Sequence, residues 1–594
     1  MVRRLVGPAM NQAICHASWT GMLAELIQTR AEKTLFRDRN GNLWQDVTWQ
    51  EFGLRVQHIG MAALARGLGK GDVACILAAT GSEWLTIDTA LTSIGMVSAG
   101  IYPTEPPERL AFILNDCGAR ILFVDSEIQL AKAKLIRSRC SKLATIVTFG
   151  FSAKEADIVT IEEWVAAGQG YEATWDCARR EIRPEDGAIL IYTSGTTGPP
   201  KGALISQGAI AWQVAHCARL YFPEPGWKRP AYLPLCHIAE RYFTFFAMVG
   251  GAISYMVDDP SKFGDAIMDI RPEFILGVPR IFEKIHAAHL RWRDTAAPPG
   301  LEGAIQRGLA IADAHLQSPS ISIDLEYRSA ADAELLRKAR IAVGIDHARI
   351  FVSGGASFPP NLLRWFLAMG VPMLEMYGMS ETGTIATNLA SAMREATVGP
   401  VCDFSEIDIR PNGEIAVRGA GLFSRYLNRP DATAAAFDGD WFLTGDLGQF
   451  DDHGHLKVTG RIKDIIITSG GKNISPAEIE SRLRASRFIQ DAVAVGDGRK
   501  FVSALVIIDI AAATEHLNID GDLGILANHP DIVGLIAEEI ECANATLSRV
   551  EQVKQFRILP RALQTDGPEL TPTLKLKRAA LCNSFSELIE EIYS

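Results

Sequence analysis

The sequence predicts an α/β fold: a large N-terminal portion of stacked sheets covered by helices, followed by a small α+β domain. Three observations carry that expectation. Short apolar runs such as Val73-Ala74-Cys75-Ile76-Leu77 and Ile121-Leu122-Phe123-Val124 interleave with helical periodicity, the pattern of mainly parallel strands covered on both faces. After residue 405 the texture changes to short alternating strands with glycine turns, and from Asp464 to a compact α+β pattern. At 594 residues the chain is also too long for one ordinary domain.

Taken in order, the chain opens with MVRRLVGPAMNQ, which is basic but has no apolar stretch of signal-peptide length behind it. Whether translation starts at Met1 or Met10 stays open. Further strand-like runs follow at 146–149, 274–278 and 349–353. The longest uncharged run, "YFTFFAMVGGAISYMV" at 242–257, is broken by Gly250-Gly251. It falls short of the roughly 20 residues that span a bilayer, so it reads as a buried helix feeding a strand. Residues 285–345, rich in Ala, Arg, Asp and Glu, read as surface helices with a loop at "QSPSISID", an excursion from the core fold. Then come the alternating segments "EIDIRPNGEIAVRG" and "GQFDDHGHLKVTG". In the last domain "DAVAVGDG" and "FVSALVIID" read as strands. The expected division is 1–459, a hinge at 460–463, and 464–594.

Bulk composition removes some function classes. With 48% hydrophobic and 22% charged residues the chain can bury a large core. A net charge of −11 spread over this length argues against nucleic acid as main partner. The ten cysteines show no CxxC or zinc-site spacing, which points to scattered reduced thiols in a cytoplasmic protein. A peripheral membrane contact and a homodimer stay open.

The most telling stretch is "YTSGTTGPPKG" at 192–202, straight after Ala188-Ile189-Leu190-Ile191. Hydroxyls, glycines and a lysine at the end of a buried strand suit a phosphate-gripping loop. The Walker pattern does not fit, because Pro200 stands five residues after Gly195 and Lys201 is followed by Gly202. Backbone N–H groups at Gly195 and Gly198 approach phosphate oxygens with no Cβ in the way. The hydroxyls of Thr193, Ser194, Thr196 and Thr197 add donors, and Lys201 adds charge.

Companion motifs follow in order: "YLPLCHIAERY" (232–242), "RPEFILGVPRIFEKI" (271–285), "FVSGGASFP" (351–359), "MYGMSETGT" (376–384), "WFLTGDLG" (441–448), "GRIKDIIITSGGKNISPAEIE" (460–480) and "LTPTLKLKR" (570–578). Together they closely resemble the acyl-adenylate-forming enzymes, and the variants "YLPLCHIAER", "GVPRIFEKI", "GGKNISPAEIE" and "TPTLKLKR" look most like the long-chain fatty acyl-CoA synthetase branch. Two departures stand out: Gln207 follows Ser206 where long-chain members often show His, and Ser380 replaces a more usual Thr.

The resemblance implies an αβαβα-type N-terminal portion, a small mobile lid, and a two-step reaction. ATP and a carboxylate give acyl-AMP and pyrophosphate, with Mg²⁺ present; the thiol of coenzyme A then displaces AMP. The carboxylate is already ionised at pH 7, so the first step calls for positioning and charge neutralisation rather than a general base. On the same footing, residues 193–198 and Lys201 hold the β- and γ-phosphates. Glu381 is the magnesium ligand, since one carboxylate plus substrate phosphates suffices for that ion. Ser380 contacts the α-phosphate, Tyr377 stacks on adenine, and Gly354, Gly355 and Ala356 form the adenine wall. Read without the family, the segment around Ser380 and Glu381 is a strand-to-helix turn with an N-capping Ser. The resemblance further implies that Asp446 accepts from ribose hydroxyls and Arg461 reaches ribose or phosphate; the plain readings are an exposed turn Asp and a surface Arg.

His237 is implied at the wall between the carboxylate and pantetheine sites, against the plain reading of a satisfied core histidine; neighbouring Cys236 reads as packing. "LTPTLKLKR" offers Lys575 and Lys577 as the lysine that swings over the site. The threonine spacing from Thr571 selects Lys575, and Lys577 suits a solvated basic edge strand. Lys463, two residues after Arg461, is the implied hinge. An aryl or branched acid in place of the fatty acid, a carrier protein in place of coenzyme A, and a catalytically silent binding protein remain as alternatives.

Overall fold

The computed structural model describes residues 18–41, 43–153, 157–193, 199–222, 224–519, 521–564, 567–570 and 576–594. Its largest sheet has eight strands. Parallel strands Val73–Leu77, Val97–Ile101, Ile121–Val124, Thr145–Thr148 and Ile158–Thr160 make one side, in the order 97–101, 73–77, 121–124, 145–148, 158–160. Gly187–Thr193 joins 97–101 in parallel, and Lys201–Ser206 then pairs with it antiparallel. A two-residue strand, Arg425–Tyr426, closes the edge against 201–206. The central strands are apolar on both faces, with Ile76, Leu77, Ile189 and Leu190 fully buried, as a helix-covered sheet requires.

A second sheet sets Lys228–Ala231 and Ile253–Met256 beside Thr34–Asn40 and Leu43–Thr48. A third runs Phe274–Gly277, Ile350–Gly354 and Met373–Met379 in parallel and turns back through Gly383–Thr387. Every strand-like run expected at 73, 121, 146, 274 and 349 is therefore a strand. The uncharged run at 242–257 is the helix Ile238–Gly250 followed by the strand Ile253–Met256, with Gly251 ending the helix at φ +79°. No helix among the described residues is long and apolar enough to cross a membrane.

The helix Ile238–Gly250 is buried from Glu240 to Met248 and brings two charges inside with it. Arg241 pairs with Asp88, and Glu240 pairs with Arg229, all four side chains at most 1% exposed. Charges so deeply buried persist because each is paired. Thr244 Oγ1 accepts from Arg229, and the backbone N–H of Leu233 donates to Glu240, at 3.0 Å each.

The region 285–345 corrects the sequence expectation of surface helices outside the core. Pro279–Ala296, Leu301–Gln317 and Ala330–Ala342 are helices, but Leu301, Ala304, Ile305, Ala312, Leu336 and Ala339 are buried in the main hydrophobic core. Their charged outer faces and alanine-rich inner faces dilute the apolar signal. Helix Leu301–Gln317 lies so close to Pro360–Ala368 that a Cβ on Gly308 would meet the Ala368 carbonyl oxygen at 2.9 Å.

Residues 406–461 make a smaller antiparallel sheet from Glu406–Ile409, Glu414–Arg418, Trp441–Phe450 and Leu456–Arg461, with Phe437–Asp438 also paired to 441–450. Gly460 and Arg461 are thus the end of a strand, and Lys463 falls in the 3₁₀ turn Ile462–Asp464. Beyond it, Ile489–Val495, Val502–Ile508 and Val553–Ile558 form a three-stranded sheet under helices Pro476–Leu483 and Pro530–Asn544, around a cluster that includes Ile479, Leu483, Val506, Ile532 and Ile536.

Candidate active site

Three of the sheets bring their ends to one place. Thr193 and Lys201 face each other as register partners where strands 187–193 and 201–206 diverge. Residues Ser194, Gly195, Thr196, Thr197 and Gly198, between them, lie outside the described residues. Lys201 is half-buried, with its ammonium 5.1 Å from the centre of the Tyr426 ring, within range for a cation–π contact. The Tyr426 hydroxyl donates to Glu381 Oε1 at 2.8 Å.

Glu381 sits in the connection between strands Met373–Met379 and Gly383–Thr387. This corrects the reading of a strand-to-helix turn: the chain turns back into an antiparallel strand, and Ser380 caps no helix. The hairpin is tight, since a Cβ on Gly378 would come within 2.1 Å of the Gly383 carbonyl oxygen and Gly383 itself has φ +63°; both positions need glycine. Gln213 props the turn from below, its side-chain N–H donating to the Thr382 carbonyl at 2.8 Å. Glu381 is 5% exposed. Burial pushes its pKa above the usual carboxylate value, while the Tyr426 hydroxyl, its own backbone N–H, Arg461 and Lys201 pull the other way.

The second carboxylate is Asp446, on strand Trp441–Phe450. It accepts from the Tyr377 hydroxyl at 2.7 Å and from Arg461 Nε at 2.7 Å. Arg461 is the register partner of Asp446 on the next strand. Burial, the largest influence, would lower the Arg461 pKa; the charge and hydrogen bond of Asp446, with the charges of Asp464 and Tyr377, together hold the guanidinium above its ordinary value. Burial, followed by the Asp446 charge, pushes the Tyr377 phenol well up, so it stays a donor.

Gly354 ends strand Ile350–Gly354 opposite Met376, and Gly355 (φ +82°) and Ala356 follow as exposed residues beside the strand that carries Tyr377. A Cβ on Gly354 would meet Met376 Cγ at 3.0 Å, which leaves a flat strip of backbone there. His237 stands at the head of helix Ile238–Gly250, its Nδ1 accepting the Ala239 N–H at 3.1 Å; a neutral ring then carries its proton on Nε2. Cys236 is buried and burial pushes its thiol up, in keeping with a packing role. Lys575 lies outside the described residues. Lys577 is not in a strand; it precedes helix Arg578–Ser584, and its charge acts on the buried Glu105. Arg578 pairs with Glu480. Lys463 belongs to the turn after Arg461.

Among the expected residues, then, Lys201 and Glu381 meet through Tyr426, Tyr377 and Arg461 meet on Asp446, and the Arg461 charge acts on Glu381. Tyr426, the link between Lys201 and Glu381, was not singled out from the sequence. Its only local signal is the aromatic in "SRYLNRP", ahead of a proline turn. Among the described residues no group of three or more His, Cys, Asp or Glu forms a metal cluster. The donor set at Glu381 nonetheless suits a hard divalent ion held by one carboxylate and by oxygens of a bound ligand.

A family model described as AMP-binding enzyme matches residues 23–427, and one described as AMP-binding enzyme C-terminal domain matches 463–594. The chain is 31% identical over 611 residues to the long-chain-fatty-acid–CoA ligase FadD15 of Mycobacterium tuberculosis, covering 100% of both proteins. It is 29% identical over 612 residues to the long-chain-fatty-acid–CoA ligase ACSBG1 of Rattus norvegicus, covering 94% of this chain and 84% of that one. Among solved structures it resembles the anthranilate CoA ligase AuaEII in complex with anthranoyl-AMP (TM-score 0.74, 18% identity, 98% of this chain and 100% of that one). It also resembles a Mycobacterium tuberculosis fatty acyl CoA synthetase (TM-score 0.63, 19% identity, 96% and 99%). At these identities the two structures speak for the α/β fold.

Proposed function

Because this chain belongs to the AMP-binding enzyme family, we infer that it is an ATP-dependent ligase that activates a medium- to long-chain fatty acid to acyl-AMP and passes the acyl group to coenzyme A. The relatives named as long-chain-fatty-acid–CoA ligases support the substrate class. The observation that carries the reading is that Lys201 and Glu381 meet across Tyr426, Asp446 pairs with Arg461, and the Arg461 charge acts on Glu381, four residues from separate stretches of sequence.

In the first step a carboxylate oxygen attacks the α-phosphorus, the bond to the bridging oxygen breaks, and pyrophosphate leaves. In the second the thiol of coenzyme A attacks the acyl carbonyl, the carbon–oxygen bond to AMP breaks, and thioester and AMP are released. Tyr377 and the strip Gly354, Gly355 and Ala356 flank adenine. Asp446, held by Tyr377 and Arg461, accepts from the ribose hydroxyls, and Arg461 reaches on toward phosphate. Ser380 donates to the α-phosphate. Lys201, Thr193 and residues 194–198 neutralise and grip the departing phosphates. Glu381 holds Mg²⁺, which offsets charge on the phosphate oxygens when bound. His237, fixed as a helix cap, lines the junction between carboxylate and pantetheine. Lys575 reaches over from the lid 464–594, and the lid turns about Lys463 relative to 1–459.

The nine described cysteines are free thiols, which supports a reducing, cytoplasmic setting. Peripheral membrane contact and homodimerisation are not needed by this chemistry. The deciding assay supplies ATP, Mg²⁺, coenzyme A and a panel of acids, and measures pyrophosphate and acyl-CoA separately. Thioester formed best with acids of about twelve to eighteen carbons is expected, each buried CH₂ adding up to roughly 0.8 kcal/mol. Pyrophosphate without thioester would indicate a carrier-protein acceptor, and preference for aromatic acids would overturn the fatty-acid assignment.

A further inference from the structure

Outside every motif above, helix Pro107–Cys117 ends with a carboxylate that has no place there on local grounds. Asp116 lies in the last turn, where a negative charge opposes the helix dipole, and its side chain is only 8% exposed. Such a position is retained when something compensates it, and Asp116 has three partners. Its Oδ2 accepts from the Tyr192 hydroxyl at 2.8 Å, its Oδ1 from Arg429 Nη2 at 2.6 Å, and its backbone carbonyl from Asn428 Nδ2 at 2.7 Å.

Both sets of partners lead into the site. Tyr192 is the register partner of Gly202, next to Lys201. Asn428 and Arg429 follow directly on Tyr426 and Leu427; the Leu427 N–H donates to the Gly202 carbonyl at 2.8 Å, and Tyr426 pairs with Ala203. Tyr426 in turn holds Glu381 and stands under the Lys201 ammonium. Asn428 has φ +55°, a strained turn that its bond to the Asp116 carbonyl helps hold.

We propose that Asp116 is a positioning residue for adenylate formation, one carboxylate that fixes strand Gly187–Thr193, the partner of the strand bearing Lys201, against the segment whose Tyr426 holds Glu381. This rests on the reading of Lys201 and Glu381 as the phosphate and Mg²⁺ groups. Asp116 touches neither substrate nor ion. Its removal leaves the chemistry of both groups intact but loosens their mutual register, so the loss falls on the step that uses ATP phosphates and spares the step that follows their departure.

The test uses the full-length protein and the variants Asp116→Asn, Tyr192→Phe and the double variant. ATP-dependent pyrophosphate release is compared with thioester formation from prepared dodecanoyl-AMP and coenzyme A. For Asp116→Asn, kcat/KM for ATP is expected to fall about tenfold to a hundredfold, the scale of a small misplacement of reacting groups. KM for the fatty acid and the rate from dodecanoyl-AMP should stay within about threefold, and the Asp116→Asn and Tyr192→Phe losses should overlap in the double variant instead of multiplying. Equal loss of both half-reactions, fully multiplicative losses, or an unaltered kcat/KM for ATP would each overturn the proposal. If Asp116→Asn does not fold, Tyr192→Phe, which removes one oxygen, carries the same comparison of half-reactions. Wild-type protein that releases no pyrophosphate with any acid would instead overturn the proposed function.

Discussion

Asp446 and Arg461 face each other across neighbouring antiparallel strands, and Arg461 Nε donates to Asp446 Oδ1 at 2.7 Å while Tyr377 takes the other oxygen. The pair stands at the last strand of the small sheet, two residues before Lys463. Asp446 thereby links the nucleotide wall to the start of the C-terminal segment. Asp446→Asn keeps the shape but replaces one acceptor with a donor facing Arg461 or Tyr377. KM for ATP is expected to rise at least tenfold, about 1.4 kcal/mol or more, with KM for the fatty acid nearly unchanged. A matching rise in both would show general damage.

Tyr426→Phe removes the hydroxyl that donates to Glu381. That bond favours the ionised carboxylate, so its loss leaves burial less opposed and drives the Glu381 pKa further up. Adenylate formation should fall about tenfold near neutrality, and the acid limb of its pH profile should move to higher pH. A lower rate with an unmoved acid limb would separate Tyr426 from the titration of Glu381.

Lys463→Pro fixes φ in the turn between the small sheet and the C-terminal sheet. If the lid turns there, one half-reaction survives and the other is lost, since each needs a different lid face. Separate assays of pyrophosphate release and of thioester formation from acyl-AMP decide the point; equal loss of both excludes a hinge at this residue.

Glu375, on the strand that leads to Tyr377, is pushed up to about 8, chiefly by burial, with the Phe358 N–H opposing at 3.3 Å. Its pKa in the unfolded chain is near the ordinary 4.5. Between these values the folded state binds the extra proton, so this group costs stability progressively as pH rises from about 4.5 to 8, up to about 5 kcal/mol. Glu375→Gln mimics the protonated form. Chemical denaturation at pH 5 and pH 8 should show the variant close to wild type at the lower pH and more stable at the higher.

Arg241→Met leaves Asp88 as an unpaired charge beneath helix Ile238–Gly250. A loss of about 3–5 kcal/mol is expected, largely recovered when Asp88→Leu is added. Equilibrium unfolding of the single and double variants measures this directly. Equal stability of the two would mean that water reaches Asp88.

Much of this was legible because the signals were local. Lys201 and Arg461 lie at strand ends beside Gly202 and Gly460, Asp446 follows Gly445, and Glu381 sits in the tight turn before Gly383, so each is announced within a few residues. The runs at 73, 121 and 274 became strands because they are apolar on every position and so belong inside a covered sheet. Tyr426 and Asp116 could not be found this way. Their meaning comes from partners far away in sequence, Tyr426 to Glu381 and Asp116 to Arg429, and nothing near residue 116 marks a helix end as part of a nucleotide site. The helices between 279 and 342 were misjudged for a different reason. Small buried residues such as Ala304, Gly308 and Ala312 supply close contact without a visibly apolar stripe.

The two-residue strand Arg425–Tyr426 has a bearing on how the chain is made. It completes the edge of a sheet whose first strand begins at Val73, and it brings the tyrosine that holds Glu381. A ribosome must therefore add more than two hundred residues after Leu204 before that edge is covered. Through that interval strand 201–206 presents unpaired N–H and C=O groups on one side, an invitation to mispairing in a nascent chain. Assembly of the nucleotide site is in this sense a late event of synthesis, and slow or truncated translation exposes a half-built sheet before the enzyme exists.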